Sequence, residues 1–253
     1  MTRATGWVAL ALVTGLATAC GGDATLGPDP TVTAVDTPSE GGSAAAATPT
    51  EPEVGVGDAM PIPDVSGPIA AGRYHTTVMR PPFELELGDG WSATGENEQA
   101  VRFFHGQDAD TVIVAIARPQ RVIDPNATLD GNGVLPDEAR LPLPADLVAW
   151  FQEHPLLETG APTAVMIGGA VGARFDLTVG EVTQPTCGPG CAVLLATEEI
   201  DFTVKEGMVI RSYILDVGGD ILAIGVLVPE PATAEAGFAL GDAVVESLEF
   251  SDA

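Results

Sequence analysis

Three β-rich runs in the last third of the chain, 192–204, 208–217 and 221–228, constrain the fold more than any other feature. Lys205-Glu206-Gly207 and Gly218-Gly219-Asp220 separate them, short turn-forming sequences of the kind that reverse a chain between antiparallel strands. The spacing predicts an antiparallel meander. Pro229-Glu230-Pro231 stops it, and Thr233 is placed to cap a helix running to about Ser247. The apolar positions Ala234, Phe238, Gly241, Val245 and Leu248 then cover one helical face. Leu248-Glu249-Phe250 reads as a closing strand.

The middle of the chain follows the same logic. Phe83-Glu84-Leu85-Glu86-Leu87 alternates apolar and acidic residues, as a strand with one wet face does. Gly88-Asp89-Gly90 turns the chain into an extended stretch at Trp91. Two further strands are expected at 101–105 and 111–116, joined by a hairpin loop over Gly106–Asp110, and the second is apolar enough to be covered on both faces. A polar, proline-containing loop is expected from Arg118 to Pro144. Ala145 to His154 reads as a helix with Leu147, Trp150 and Phe151 on its buried side, ended by Pro155. Extended segments at 165–169 and 171–179 flank a Gly-Gly turn. Antiparallel runs with two principal helices predict an α+β class, a largely antiparallel sheet covered by helices in an αβα-like sandwich.

Phe83-Glu-Leu-Glu-Leu-Gly-Asp-Gly-Trp91, Ile167-Gly-Gly-Ala-Val-Gly172 and Val245-Glu-Ser-Leu-Glu-Phe250 together resemble the PsbP-like family of small extracytoplasmic α/β proteins, which includes bacterial lipoproteins. The resemblance spans roughly residues 70 to 250. It implies a binding or assembly module more than an enzyme, and it carries over no functional residue.

The N-terminal quarter is of another kind. Arg3 precedes the apolar run Trp7–Leu16, too short to span a bilayer and suited to a signal-peptide core. Leu16-Ala17-Thr18-Ala19-Cys20 then resembles the lipobox of bacterial lipoproteins, in which the cysteine takes a diacylglycerol and becomes the first residue after cleavage. Ala17-Thr18-Ala19 also satisfies the rule for ordinary secretion, with the cut at the same bond. Two acyl chains anchor stably where one holds only reversibly, each buried CH₂ contributing about 0.8 kcal/mol. From Gly21 to about Ser66, Gly, Pro, Ala, Thr and acidic residues show no apolar period and cannot bury enough surface to offset chain entropy. The expected organisation is a signal peptide over 1–19, a lipidated, extended tether over 20–66 and a single α+β domain over 67–253. The expected location is the extracytoplasmic face of the cell membrane, or outside the cell without the lipid.

Charge narrows the partners. Thirty-six acidic against ten basic residues give a net charge of −26, which repels phosphate backbones and excludes nucleic acid as a partner. Lipid-mediated membrane attachment and an envelope protein remain.

Candidate chemistry is sparse. With Cys20 assigned to lipid, Cys187 and Cys191 remain as a pair in an oxidising compartment, and Gly188-Pro189-Gly190 between them is turn-forming. A disulfide staple is expected, with a redox or metal pair as the alternative. The 126–137 loop spaces Asn126, Thr128, Asp130, Asn132 and Asp137 around Gly131, in the manner of a Ca²⁺ loop but without a terminal glutamate. The other reading is a turn-rich acidic surface. Glu198, Glu199 and Asp201 offer carboxylates for acid–base work if buried together, or a charge-blunted sheet edge if not. His75, His105 and His154 are isolated, and His154 is placed at a helix end where a cation favours the dipole. No nucleotide-binding glycine loop, G-x-S-x-G or H-x-x-x-H is present, so no cofactor and no catalytic residue is assigned. The leading expectation is a lipid-anchored binding or scaffold module. A calcium-dependent surface module and a carboxylate hydrolase are the alternatives.

Overall fold

The structure, a computed structural model, describes residues 58–106 and 111–251. The expected leader, Cys20, the tether as far as residue 57 and the tip of the Gly106–Asp110 loop lie outside the described residues.

A nine-stranded antiparallel sheet organises the domain. In spatial order it runs β2 (Gly67–Pro68), β5 (Trp91–Ala93), β6 (Ala100–His105), β7 (Val112–Ala117), β16 (Asp220–Val228), β15 (Val209–Val217) and β12 (Ala170–Val179). β10 (Leu157–Thr159) and β11 (Thr163–Ile167) share the far edge of β12. Between β15 and β16 the two-residue turn places Gly218 at φ 64° and Gly219 at φ 94°, the left-handed pair that a tight hairpin matched to strand twist requires.

The two faces of this sheet have different covers. On one lies α2 (Ala234–Glu246), together with a small sheet of β1 (Met60–Pro61), β3 (Gly72–His75), β4 (Phe83–Leu87) and β17 (Glu249–Phe250). Phe103, Ile116, Leu215, Leu222 and Val226 are buried there against Phe238, Val244 and Val245. Two glycines set the height of α2. A Cβ at Gly241 would fall 2.2 Å from Val226 Cγ1, and one at Gly237 2.6 Å from Val228 Cγ2. Arg211 fastens the same helix. Its guanidinium donates to both carboxylate oxygens of Asp176 at 2.7 and 2.8 Å and to Asp242 at 2.5 Å, and it lies 4.4 Å from the centre of the Phe238 ring.

Over the opposite face lie α1 (Leu147–Glu153) and a hairpin of β13 (Cys191–Ala196) and β14 (Asp201–Lys205). β13 also pairs with β8 (Arg121–Ile123), which pairs with β9 (Arg140–Pro142). The α+β class is as expected, with the second face covered by sheet as much as by helix. Among the described residues no helix is long and apolar enough to cross a membrane.

Several expectations are corrected. Ordered structure begins ahead of Gly67, because Met60–Pro61 pairs with β3 and Ile62 enters the core at 1% exposure. The 118–144 stretch contains two strands and a 3₁₀ turn, and its Ala127, Leu135 and Ala139 bury against Val193 and Ala196 on the outside of β13. The meander breaks at Lys205-Glu206-Gly207. β14 pairs with β13 rather than β15, so this turn carries the chain from one sheet to another. Thr233 makes no capping bond; its hydroxyl donates to the Glu230 carbonyl at 3.1 Å, within a 3₁₀ turn that precedes α2. α1 is shorter than expected and is capped by Asp146, whose carboxylate accepts from the Ala149 N–H at 2.9 Å.

Candidate binding trough

The sequence-derived candidates do not converge. Asp130 is a turn former, accepting from the N–H groups of Asn132 at 2.8 Å and Val134 at 2.9 Å, and these bonds hold its carboxyl below the usual carboxylate range. The oxygens of a calcium loop would have to point at a common centre. This one is spent on its own backbone, and among the described residues no group of three or more His, Cys, Asp or Glu is placed to hold a metal. Asp201 is bound by both ends of Arg140 at 2.6 and 2.9 Å, and Glu199 accepts from Asn97 at 3.3 Å. The acidic cluster therefore divides between different partners and offers no carboxylate pair for acid–base work.

The histidines are each engaged locally. His75 Nδ1 lies 3.0 Å from the Ala59 carbonyl, and His105 packs edge-on against Trp91. His154 corrects its expected role. It is 4% exposed against Trp150, and burial pushes its pKa down to about 4, so it sits at the end of α1 as a neutral ring. Cys187 and Cys191 stand at disulfide distance, with Cα atoms 5.2 Å apart. Gly188 at φ 121° and Gly190 at φ 63° provide the left-handed backbone that so short a loop needs. That loop opens directly into β13, and Thr186 ahead of it accepts from the Val193 N–H at 2.7 Å.

Beneath the hairpin that this loop braces, the structure contains a half-open apolar cavity of about 80 Å³. Register explains it. Phe175, Ser212, Gly225, Ala115 and Arg102 occupy consecutive paired positions on β12, β15, β16, β7 and β6, forming one row across the sheet. The next row on the same face runs Ala173, Ile214, Ala223, Ala117 and Ala100. Small residues at the centre of both rows leave the floor low. Leu194, Leu195, Phe202 and Val204 of the hairpin form the roof, and Phe151 and Leu177 close one end. Phe151 of α1 leans on Phe175 with ring centres 5.6 Å apart.

The other end of the first row carries a charge. Arg102 is half-buried, and burial holds its guanidinium below its ordinary pKa. Ion pairs among the described residues go to Arg73, Arg118, Arg140 and Arg211, and none to Arg102. Chemically the trough can hold an apolar group. Among the described residues no histidine or carboxylate is hydrogen-bonded to Ser212 in its floor to activate the hydroxyl.

Sequence reasoning missed this site because alanine and glycine within apolar strands carry no polar signal. The available clue was Arg102 between Val101 and Phe103, a cation on the strand face opposite two core residues.

No family model matches the chain, and no curated protein matches it. Among solved structures it is similar to the solution structure of cyanobacterial PsbP (CyanoP) from Synechocystis sp. PCC 6803, at 14% identity and a TM-score of 0.38, covering 72% of this chain and 94% of that one. The neighbour bears the name of the family that the 83–91, 167–172 and 245–250 stretches resemble, and a likeness at this level carries no argument about function.

Proposed function

We propose that this protein is a binding module of the cell envelope, held at the membrane by lipid on Cys20 and without chemistry of its own. The observation that carries the binding half is the half-open apolar cavity between the main sheet and the β13–β14 hairpin, whose lining among the described residues includes no His, Cys, Asp, Glu or Lys. An apolar recess lined by small floor residues gains by taking in an apolar group. The anchoring half rests on the lipobox-like Leu16–Cys20 stretch and the acid-rich segment after it, which has no Lys or Arg; together they would hold the domain away from the bilayer. An envelope protein is the proposed partner.

Two experiments test the reading. Cys20→Ser is expected to move the protein from the membrane to the soluble fraction, and persistence in the membrane contradicts the anchor. A photo-crosslinking residue at Thr203, exposed on the cavity's rim, is expected to capture an adduct in intact cells that is lost when Ala115→Leu fills the floor. Absence of any adduct, or one indifferent to Ala115→Leu, contradicts binding at this site.

A further inference from the structure

Resting on the binding reading above, we infer that the trough takes a short linear alkyl carboxylate, with its tail in the cavity and its head at Arg102. Arg102 and Ala115 are directly paired on neighbouring strands, and Ala115 lines the cavity. Strand spacing puts Gly225 roughly 10 Å and Ser212 roughly 14 Å along the row from Arg102. A molecule meeting both ends is therefore long, thin and charged at one end only.

The arginine itself argues for an anion. A guanidinium half withdrawn from water without a carboxylate is unfavourable unless something else compensates it. This chain has 36 acidic residues with which to pair it. On the other face of the same sheet Arg211 has taken two carboxylates and an aromatic ring. Arg102 has taken none among the described residues, and the floor beside it is alanine and glycine.

The dimensions and charge restrict the class further. A cavity that admits benzene is about 150 Å³, and this one is about 80 Å³, which favours the end of an alkyl chain over a ring. With a net charge of −26 around it, a multiply charged head such as a phosphate is repelled by more than one arginine offsets, whereas a single carboxylate matches a single guanidinium.

The test uses the full chain carrying Cys20→Ser, with octanoate, octanol and acetate as probes and methyl NMR shifts of Leu194 and Leu195 as the readout. Octanoate is expected to bind about tenfold or more tighter than octanol, the difference a charge-assisted bond makes, and acetate not to compete. Arg102→Gln is expected to erase the preference while octanol binding survives, and Ala115→Leu to abolish both. Arg102→Met serves in place of Arg102→Gln where the thermal melt of the latter departs from that of the parent. Equal binding of octanol and octanoate overturns the carboxylate assignment, as does a preference unchanged in the Arg102 variants. No shift with either long probe overturns the alkyl class. If the Thr203 adduct persists through these failures, the binding reading stands and only the ligand class is lost.

Discussion

The two faces of the nine-stranded sheet are built from the same strands and are packed to different ends. Along β16, Leu222, Ile224 and Val226 fill the face under α2 and are nearly without exposure. Ala223, Gly225 and Leu227 alternate with them and line the trough. The first face brings a helix so close that Gly241 and Gly237 have no room for a Cβ, while the second leaves a cavity. Alternation along a strand thus lets one sheet secure the fold with one set of residues and keep space with the other.

The largest difference is expected between adjacent residues of β16. Leu222→Ala on the α2 face is expected to cost about 2–5 kcal/mol, whereas Ala223→Gly next to it costs about 0.5–1 kcal/mol through backbone entropy alone. Equal losses in urea denaturation would erase the distinction. The two arginines should also separate. Arg211→Met removes bonds to Asp176 and Asp242 and is expected to destabilise by about 1–3 kcal/mol. Arg102→Met removes a half-buried charge that pairs with no carboxylate among the described residues, and should leave stability within about 0.5 kcal/mol or raise it.

His154, beside the trough, contributes a pH response. Because the folded pKa of His154 is about 4 and an unfolded histidine titrates near 6.5, the unfolded state binds the extra proton between those values. Stability is therefore full above pH 6.5 and falls as pH drops toward 4, by up to about 3 kcal/mol. His154→Leu is expected to flatten this part of the pH profile, and an unchanged slope would place the response elsewhere. Replacing Cys187 and Cys191 by serine should cost about 2 kcal/mol for a loop of this size, with the loss felt in the hairpin above the cavity. Quantitative thiol labelling of the native domain would contradict the disulfide.

The same contrast explains what was legible in the sequence. The α2 face was readable because its signals are periodic: Phe238, Gly241, Val245 and Leu248 fall on one helical stripe, and all are buried. The strands on either side of Gly218-Gly219 were readable because that turn admits one geometry. The trough face was not. β8 and β9 are three residues each, within a proline-containing stretch, and their burial depends on β13, distant in sequence. Lys205-Glu206-Gly207 looks like a hairpin turn locally, and only tertiary pairing shows that it changes sheets. Polar side chains make the 126–137 loop and Glu198–Asp201 the conspicuous candidates in the sequence. The cavity instead depends on the smallness of Ala115, Ala117, Ala223 and Gly225.

One face of the sheet has no spare volume and the other does, a difference that adding the same side chain to each would expose. Gly241→Leu and Ala115→Leu are compared by urea denaturation of the full chain. Gly241→Leu is expected to lose about 3 kcal/mol or more, because its Cβ alone meets Val226 at 2.2 Å, while Ala115→Leu fills the cavity and stays within about 1 kcal/mol of the parent. Equal, large losses from both would mean that the trough face is as tightly packed as the other.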